Sequence, residues 1–224
     1  MFQYFYNKNL RKLVVGFGTL FNSIYVEHAN PDNPNQPLKI RVPISYAPQE
    51  KFIQRLLQPS SIDDTTRIEK QLPVMSYIMT SVTPDPTRRR NKFAFAQTLG
   101  TTPGNCENTG NKIYQEVPVN VAMTLYIYTR HIDDTLQIVE QIIPYFNPEH
   151  IITLAMNEVH SSVNIPIVME SNRISEKYDG DFASRRLNVS TINFIAKSYI
   201  FGEVVQTTTI EDVTINTDLD INID

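Results

Sequence analysis

Between residues 10 and 21 the apolar side chains Leu10, Leu13, Val14, Phe17, Leu20 and Phe21 recur at three- and four-residue intervals. That is the spacing of one helix face. Asn7 and Asn9 stand ahead of it as candidate N-caps. Gly16 and Gly18 fall inside, at about 1 kcal/mol each relative to Ala, so tertiary packing must hold the helix. A second stripe, Phe52, Ile53, Leu56 and Leu57 in "PQEKFIQRLLQ", predicts a helix with Pro48 near its first position. "SIDDTTRIEKQ" predicts a short third, capped near Ser61 or Asp63. The fourth is "YTRHIDDTLQIVEQIIPYFNP" (128–148), with Leu136, Val139, Ile142, Ile143 and Phe146 on one face and Pro144 ending it.

Other stretches follow a period of two or run apolar throughout, as strands do. They are "NSIYVEH", "LKIRVPISYA", "LPVMSYIMTSV", "IYQEVPVNVAMTLYIYTR", "HIITLAM", "VNIPIVMES" and "LNVSTINFIAKSYIF". In "LKIRVPISYA", Ile40, Val42, Ile44 and Tyr46 alternate with Arg41, Pro43 and Ser45. Proline there places the strand at an edge or a bulge. Adjacent strands with interspersed helices predict an α+β fold, a mixed and largely antiparallel sheet with flanking helices.

Residues 1–202 form one domain by this reading, with a long loop at 83–112, rich in Gly, Pro and Asn. Loops of that length in a compact domain are usually functional or mobile. Residues 203–224 form an acidic C-terminal arm. From Val213 the odd positions run Val213, Ile215, Thr217, Leu219, Ile221 and Ile223, and the even ones Thr214, Asn216, Asp218, Asp220, Asn222 and Asp224. That alternation specifies an amphipathic strand. Its apolar face needs a cover: the same subunit, a neighbour through strand exchange, or none if the end frays.

Composition sharpens this only in places. Hydrophobic residues at 41% and charged residues at 20% are an ordinary globular balance. The formal net charge is −4, and residues 203–224 hold six carboxylates and no Lys or Arg, so the other 202 residues sum to +2. That balance argues against a general polyanion binder. Cys106 is the sole cysteine, which rules out an intrachain disulfide. "NLRKLVVGFGTLF" imitates a signal peptide, but its helical spacing and the lack of a small-residue cleavage site favour a helix. No apolar run approaches the ~20 residues that span a bilayer. The expectation is a soluble protein with no membrane contact.

The candidate chemistry is thin. His131, Asp133 and Asp134 beside Arg130 resemble an acid–base cluster, yet carboxylates in a helix's first turn cap free N–H groups and suit the dipole. The capping role is the preferred reading. His28, His131, His150 and His160 lack metal-ligand spacing, and Gly16, Gly18, Gly100 and Gly104 complete no phosphate-binding motif. No catalytic residue, metal or cofactor is assigned, and the expectation is a protein that is not an enzyme. Two basic groups remain, Arg88, Arg89 and Arg90 with Lys92, and Arg185 with Arg186. Solvated loops or ion pairs with a partner explain them best, with phosphate contact or an acidic arm of another subunit as further readings.

Four motifs, "MFQYFYN", "IRVPISYA", "YTRHIDDTLQIVEQIIPYFNP" and "DGDFASRR", together resemble the tail sheath stabiliser and completion (tail terminator) family of T-even-like contractile-tailed bacteriophages. The resemblance runs over roughly residues 1–200, departing at 83–112 and in the tail. It implies a tail-terminator-like fold and a structural virion protein. It also implies a homohexamer, a hexameric ring capping the contractile sheath and the end of the tail tube and offering a docking surface to the head neck. The implied partners are the tail sheath protein, the tail-tube terminator and neck proteins, with DNA passing through the lumen without specific binding. The implied location is the head-proximal end of the virion tail, after assembly in the host cytoplasm. A tail-tube terminator or a neck or head-completion adaptor ring is the alternative, ahead of a DNA-binding protein. Within this frame Val213, Ile215, Leu219, Ile221 and Ile223 are candidate intersubunit or sheath-facing residues, and the loop around Arg88–Lys92 a candidate lumen or neck-facing surface.

Overall fold

The architecture is that of a computed structural model, which describes residues 4–29, 36–57, 72–91, 93–101, 108–156, 162–177 and 187–208. In chain order the elements are α1 (Asn9–Leu20), β1 (Tyr25–His28), β2 (Leu38–Arg41), β3 (Ile44–Tyr46), α2 (Gln49–Leu57), β4 (Val74–Pro84), β5 (Phe95–Thr101), β6 (Asn108–Tyr114) and β7 (Val117–Thr129). There follow α3 (Ile132–Ile142), β8 (His150–Leu154), β9 (Val163–Lys177), β10 (Leu187–Ile200) and β11 (Val204–Thr208). The predicted α+β class holds. A six-stranded sheet runs β3-β4-β7-β10-β9-β8, with only β3–β4 parallel.

Alternation along the strands decides which face is the core. Val121, Met123, Leu125 and Ile127 of β7, Ile192, Phe194 and Ala196 of β10, and Met75 and Tyr77 of β4 share one buried face. Leu13 and Phe17 of α1 and Ile138, Val139 and Ile142 of α3 cover it. Phe17, Phe21, Phe146 and Phe194 form its aromatic centre, with centroids 4.8–6.2 Å apart. The opposite face is smaller in apolar content. Phe52 of α2 stacks on Tyr128 at 4.9 Å beside Val74 and Val189, and burial pushes the Tyr128 hydroxyl up to about 12. Elsewhere that face is polar, crossed by the chain Thr124–Asn193–Ser171 with bonds of 3.1 and 3.0 Å.

Several expectations are corrected. The single strand predicted over 38–47 is two strands in different sheets. Pro43 cannot donate to a ladder, and the chain breaks there so that β2 pairs with β1 and β3 with β4. The long loop at 83–112 is largely structured. β4 runs on to Pro84, a 3₁₀ turn follows at Pro86–Arg88, and β5 and β6 form an antiparallel hairpin. β11, the start of the predicted arm, pairs with the other side of β6, so the domain boundary at 202/203 cuts a sheet. Asn7 and Asn9 do not cap α1. The N-cap is Lys8, in the left-handed region at φ 58° with no side-chain bond, while the Asn7 amide donates to Phe201 O and Gly202 O (3.1 and 2.7 Å). Buried Asn9, its amide donating to Met156 O, also serves tertiary contact. The predicted helix at 61–71 and the arm at 213–223 lie outside the described residues.

The stripe on α3 is also shifted. Val139, Ile142 and Phe146 are buried as expected, but Ile138 completes the face, and Leu136 and Ile143 are exposed. The reason lies in the opposite flank of the helix. Gln137 and Gln141 lie along the outer edge of β1: Glu27 N donates to Gln137 Oε1 (2.9 Å), and Gln141 Nε2 donates to Tyr25 O (2.7 Å). The return bonds, Gln137 Nε2 to Glu27 O and Tyr25 N to Gln141 Oε1, are 3.2 and 3.4 Å. Two amide side chains thus stand in for a neighbouring strand, and the helix is rotated to present them.

Candidate functional site

The suspected acid–base cluster comes apart in three dimensions. Asp133 and Asp134 do sit in the first turn of α3, but no side chain caps it. Asp134 is buried, and its Oδ1 lies 2.9 Å from His28 Nε2 on β1. Thr129 and Thr135, also buried, join their hydroxyls across the strand-to-helix turn. The dipole still favours carboxylates there, so the electrostatic half of the capping reading stands. The hydrogen-bonding half is corrected, because Asp134 ties α3 to the β1–β2 hairpin.

The basic group at 88–92 also divides. Arg88 Nε pairs with Asp85 Oδ2 at 2.7 Å, its Nη2 donates to Asn120 Oδ1 (2.8 Å) and Val119 O (3.2 Å), and its guanidinium lies 5.4 Å from the Tyr199 ring centroid. These contacts spend it within the chain. The Thr87 hydroxyl, and then the Arg88 guanidinium, hold the Asp85 carboxyl well below the usual carboxylate range. Arg90 Nη1 stands 3.5 Å from Glu116 Oε1 and remains 66% exposed. Arg89 is exposed. Lys92, Arg185, Arg186, Val213, Ile215, Leu219, Ile221 and Ile223 lie outside the described residues, as does Cys106.

Sequence reasoning missed the exposed apolar surface, because a single exposed apolar residue carries no signal in a linear pattern. Phe95 faces Tyr114 across β5–β6, and Lys112 faces Val205 across β6–β11. All four therefore share one face of the β11-β6-β5 sheet, while Ile113, Ala96 and Val204 pack inward on the core. Phe95, Tyr114 and Val205 are 52%, 50% and 42% exposed, with Phe93 and Val117 exposed nearby in the chain. Lys112 Nζ lies over the Phe95 ring at 3.9 Å and over Tyr114 at 5.3 Å, a cation–π arrangement. A second exposed group, Ile132, Leu136 and Ile143, lines one shoulder of α3, and the N-terminal residues Tyr4, Phe5 and Tyr6 are a third.

A cleft of about 550 Å³ opens between the end of α1 and the end of α3, lined by Phe21, Ile24, Pro144, Tyr145 and Phe146 with Glu140 and His150. Its lining is mainly apolar, and His150 is spent against Phe146, ring centroids 5.6 Å apart. Among the described residues no three His, Cys, Asp or Glu side chains are grouped to hold a metal ion, and no helix is long and apolar enough to cross a membrane. The chemistry this surface offers is contact with other macromolecules.

Comparison with known proteins points the same way. A family model described as T4-like virus Myoviridae tail sheath stabiliser matches residues 4–223. The match runs through 83–112 and into the arm, where the resemblance of individual motifs stops. The tail completion protein gp15 of Enterobacteria phage T4 is 31% identical over 213 residues, covering 91% of this chain and 74% of that protein.

Proposed function

This chain belongs to the T4-like Myoviridae tail sheath stabiliser family, structural proteins of a contractile phage tail, and from that premise we propose that it closes the tail as a ring of six copies. The ring caps the last layer of the sheath and the end of the tube at the head-proximal end, and presents its other side to the neck. Its partners are the tail sheath protein, the tail-tube terminator and neck proteins, and DNA crosses its lumen without specific binding. It acts by shape and catalyses nothing.

One observation carries the reading: the amount of large apolar side chain left on the surface in groups. Eighteen such residues are exposed among those described, and nine of them form three groups: Phe95, Tyr114 and Val205 on the β11-β6-β5 face, Ile132, Leu136 and Ile143 on the α3 shoulder, and Tyr4, Phe5 and Tyr6 in the N-terminal segment. Contiguous apolar patches on a soluble monomer mark interaction sites. Head-to-tail contacts close into a ring when the rotation per subunit allows, and obligate interfaces of this kind bury on the order of 2,000 Å² or more. A cap that ends a polymer needs one face complementary to the last layer and another that the polymer cannot extend.

The test is the mass and symmetry of the purified protein. Light scattering is expected to give six times the 25.7 kDa chain mass, and electron micrographs six-fold class averages that bind the ends of sheathed tails. A monomer at every concentration, indifferent to sheathed tails, would overturn the ring.

A further inference from the structure

The exposed face of the β11-β6-β5 sheet carries an apolar cluster with a cation over it. Phe95, Tyr114 and Val205 are each 42–52% exposed on one face, with Lys112 lying over the two rings. Arg89 and Arg90 follow from the 3₁₀ turn that precedes β5, and Arg90 reaches Glu116 next to Tyr114. The face is therefore apolar, with one cation, Lys112, over its centre.

The segment that follows β11 is the complement of that face. Residues 213–223 alternate Val213, Ile215, Leu219, Ile221 and Ile223 with Asp218, Asp220 and neutral polar side chains, and Glu211, Asp212 and Asp224 flank them. No Lys or Arg interrupts this run of carboxylates. The tether is short. β11 forms one edge of the same sheet and ends at Thr208, opposite Thr109. From there Tyr114 is five residues back along β6, about 17 Å. The sixteen residues beyond Thr208 reach up to about 55 Å when extended, so they can turn back across the face with chain to spare. A short tether also holds such a segment at high effective concentration beside its site.

We propose that residues 213–223 dock on this face. Their Val, Leu and Ile side chains cover Phe95, Tyr114 and Val205, and Glu211, on the same side of the strand as Val213, lies against Lys112. Docking buries the apolar face that the segment's own alternation requires to be covered, and the charges set its direction more than its affinity. The site does not depend on the ring of six: it is complete with a segment from the same copy or from a neighbour.

Photocrosslinking in the full-length chain tests it. With p-benzoylphenylalanine in place of Tyr114, irradiation followed by cleavage at Glu211 is expected to yield a crosslink from position 114 to the peptide 212–224. Lys112→Glu should lower that yield several-fold, Lys112→Arg should retain it, and 1 M NaCl should lower it in the parent protein. Lys112 is partly exposed on a sheet face, so a melting curve matching the parent's verifies that each variant is folded. Crosslinks confined to other segments, no crosslink at all, or a yield indifferent to Lys112→Glu would overturn the proposal, whatever the oligomeric mass proves to be.

Discussion

Gly18 sits where α1 crosses Tyr77 so closely that a Cβ at that position would overlap the tyrosine hydroxyl and lie 2.7 Å from its Cζ. The Tyr77 ring is fixed in turn by Phe17 and Tyr46, with centroids at 5.7 and 5.4 Å. Two effects of Gly18→Ala therefore oppose each other. Helix propensity favours Ala by about 1 kcal/mol, while forcing a packed ring aside costs about 1–3 kcal/mol. We expect packing to win, and the urea midpoint of Gly18→Ala to fall by the equivalent of up to about 2 kcal/mol; a midpoint above the parent's would show that the ring yields freely. Asp85 supplies a pH dependence. Its carboxyl is depressed by the Thr87 hydroxyl and then by Arg88, so the folded state holds fewer protons there than the unfolded one. Its contribution is full above the ordinary aspartate value of about 3.9 and is lost as pH falls through the depressed value. Denaturant midpoints measured between pH 5 and 2 are thus expected to fall less steeply in Asp85→Asn than in the parent.

Between elements, the outer edge of the β1–β2 hairpin is joined to α3 by polar groups. That edge would otherwise present bare N–H and C=O groups, which invite pairing with another chain. Gln137 and Gln141, one helical turn apart, meet Tyr25 and Glu27, two residues apart on the strand. The match works because one turn of helix rises about 5.4 Å and two strand residues advance about 6.6 Å. His28 with Asp134 adds a contact of 2.9 Å at the other end of the strand. With both glutamines changed to alanine, the Tyr25 and Glu27 amides are expected to exchange with solvent roughly tenfold faster, the equivalent of about one net hydrogen bond. Hydrogen exchange followed by NMR reads this directly, and unchanged protection would mean that the edge is shielded by something else.

For the molecule as a whole, the interior is given to packing and the exterior to contact. The one-sided aromatic core around Phe17, Phe21, Phe146 and Phe194 supports a stiff sheet. Exposed apolar groups then occupy three separate parts of the surface. The ring proposed for this chain would use them, because each of its subunits would meet two neighbours through different surfaces and a third kind of partner axially. The acidic end of the chain and the +2 balance of the rest belong to the same scale. A complementary pair of charges within one polypeptide orients one part against another, and it weakens with salt.

Local periodicity sufficed for α1, α3 and the long strands β7 and β10, whose alternation or helical spacing persists for ten or more residues and depends on no distant partner. It also marked Asp133 and Asp134 as the start of a helix. Motif order likewise identified the family. Pairing was decided by the tertiary structure: that 38–47 feeds two sheets, that 95–114 is a hairpin rather than a loop, and that β11 belongs beside β6. The two glycines of α1, weak points by propensity, are places of close approach. Asp134 and Arg88 each turn inward to a partner more than thirty positions distant, His28 and Asn120. The physical reason is common to all of these. A strand's edge, a helix's rotation and a charge's partner are fixed by groups far away in the chain, and a window of ten or fifteen residues contains only one side of each contact.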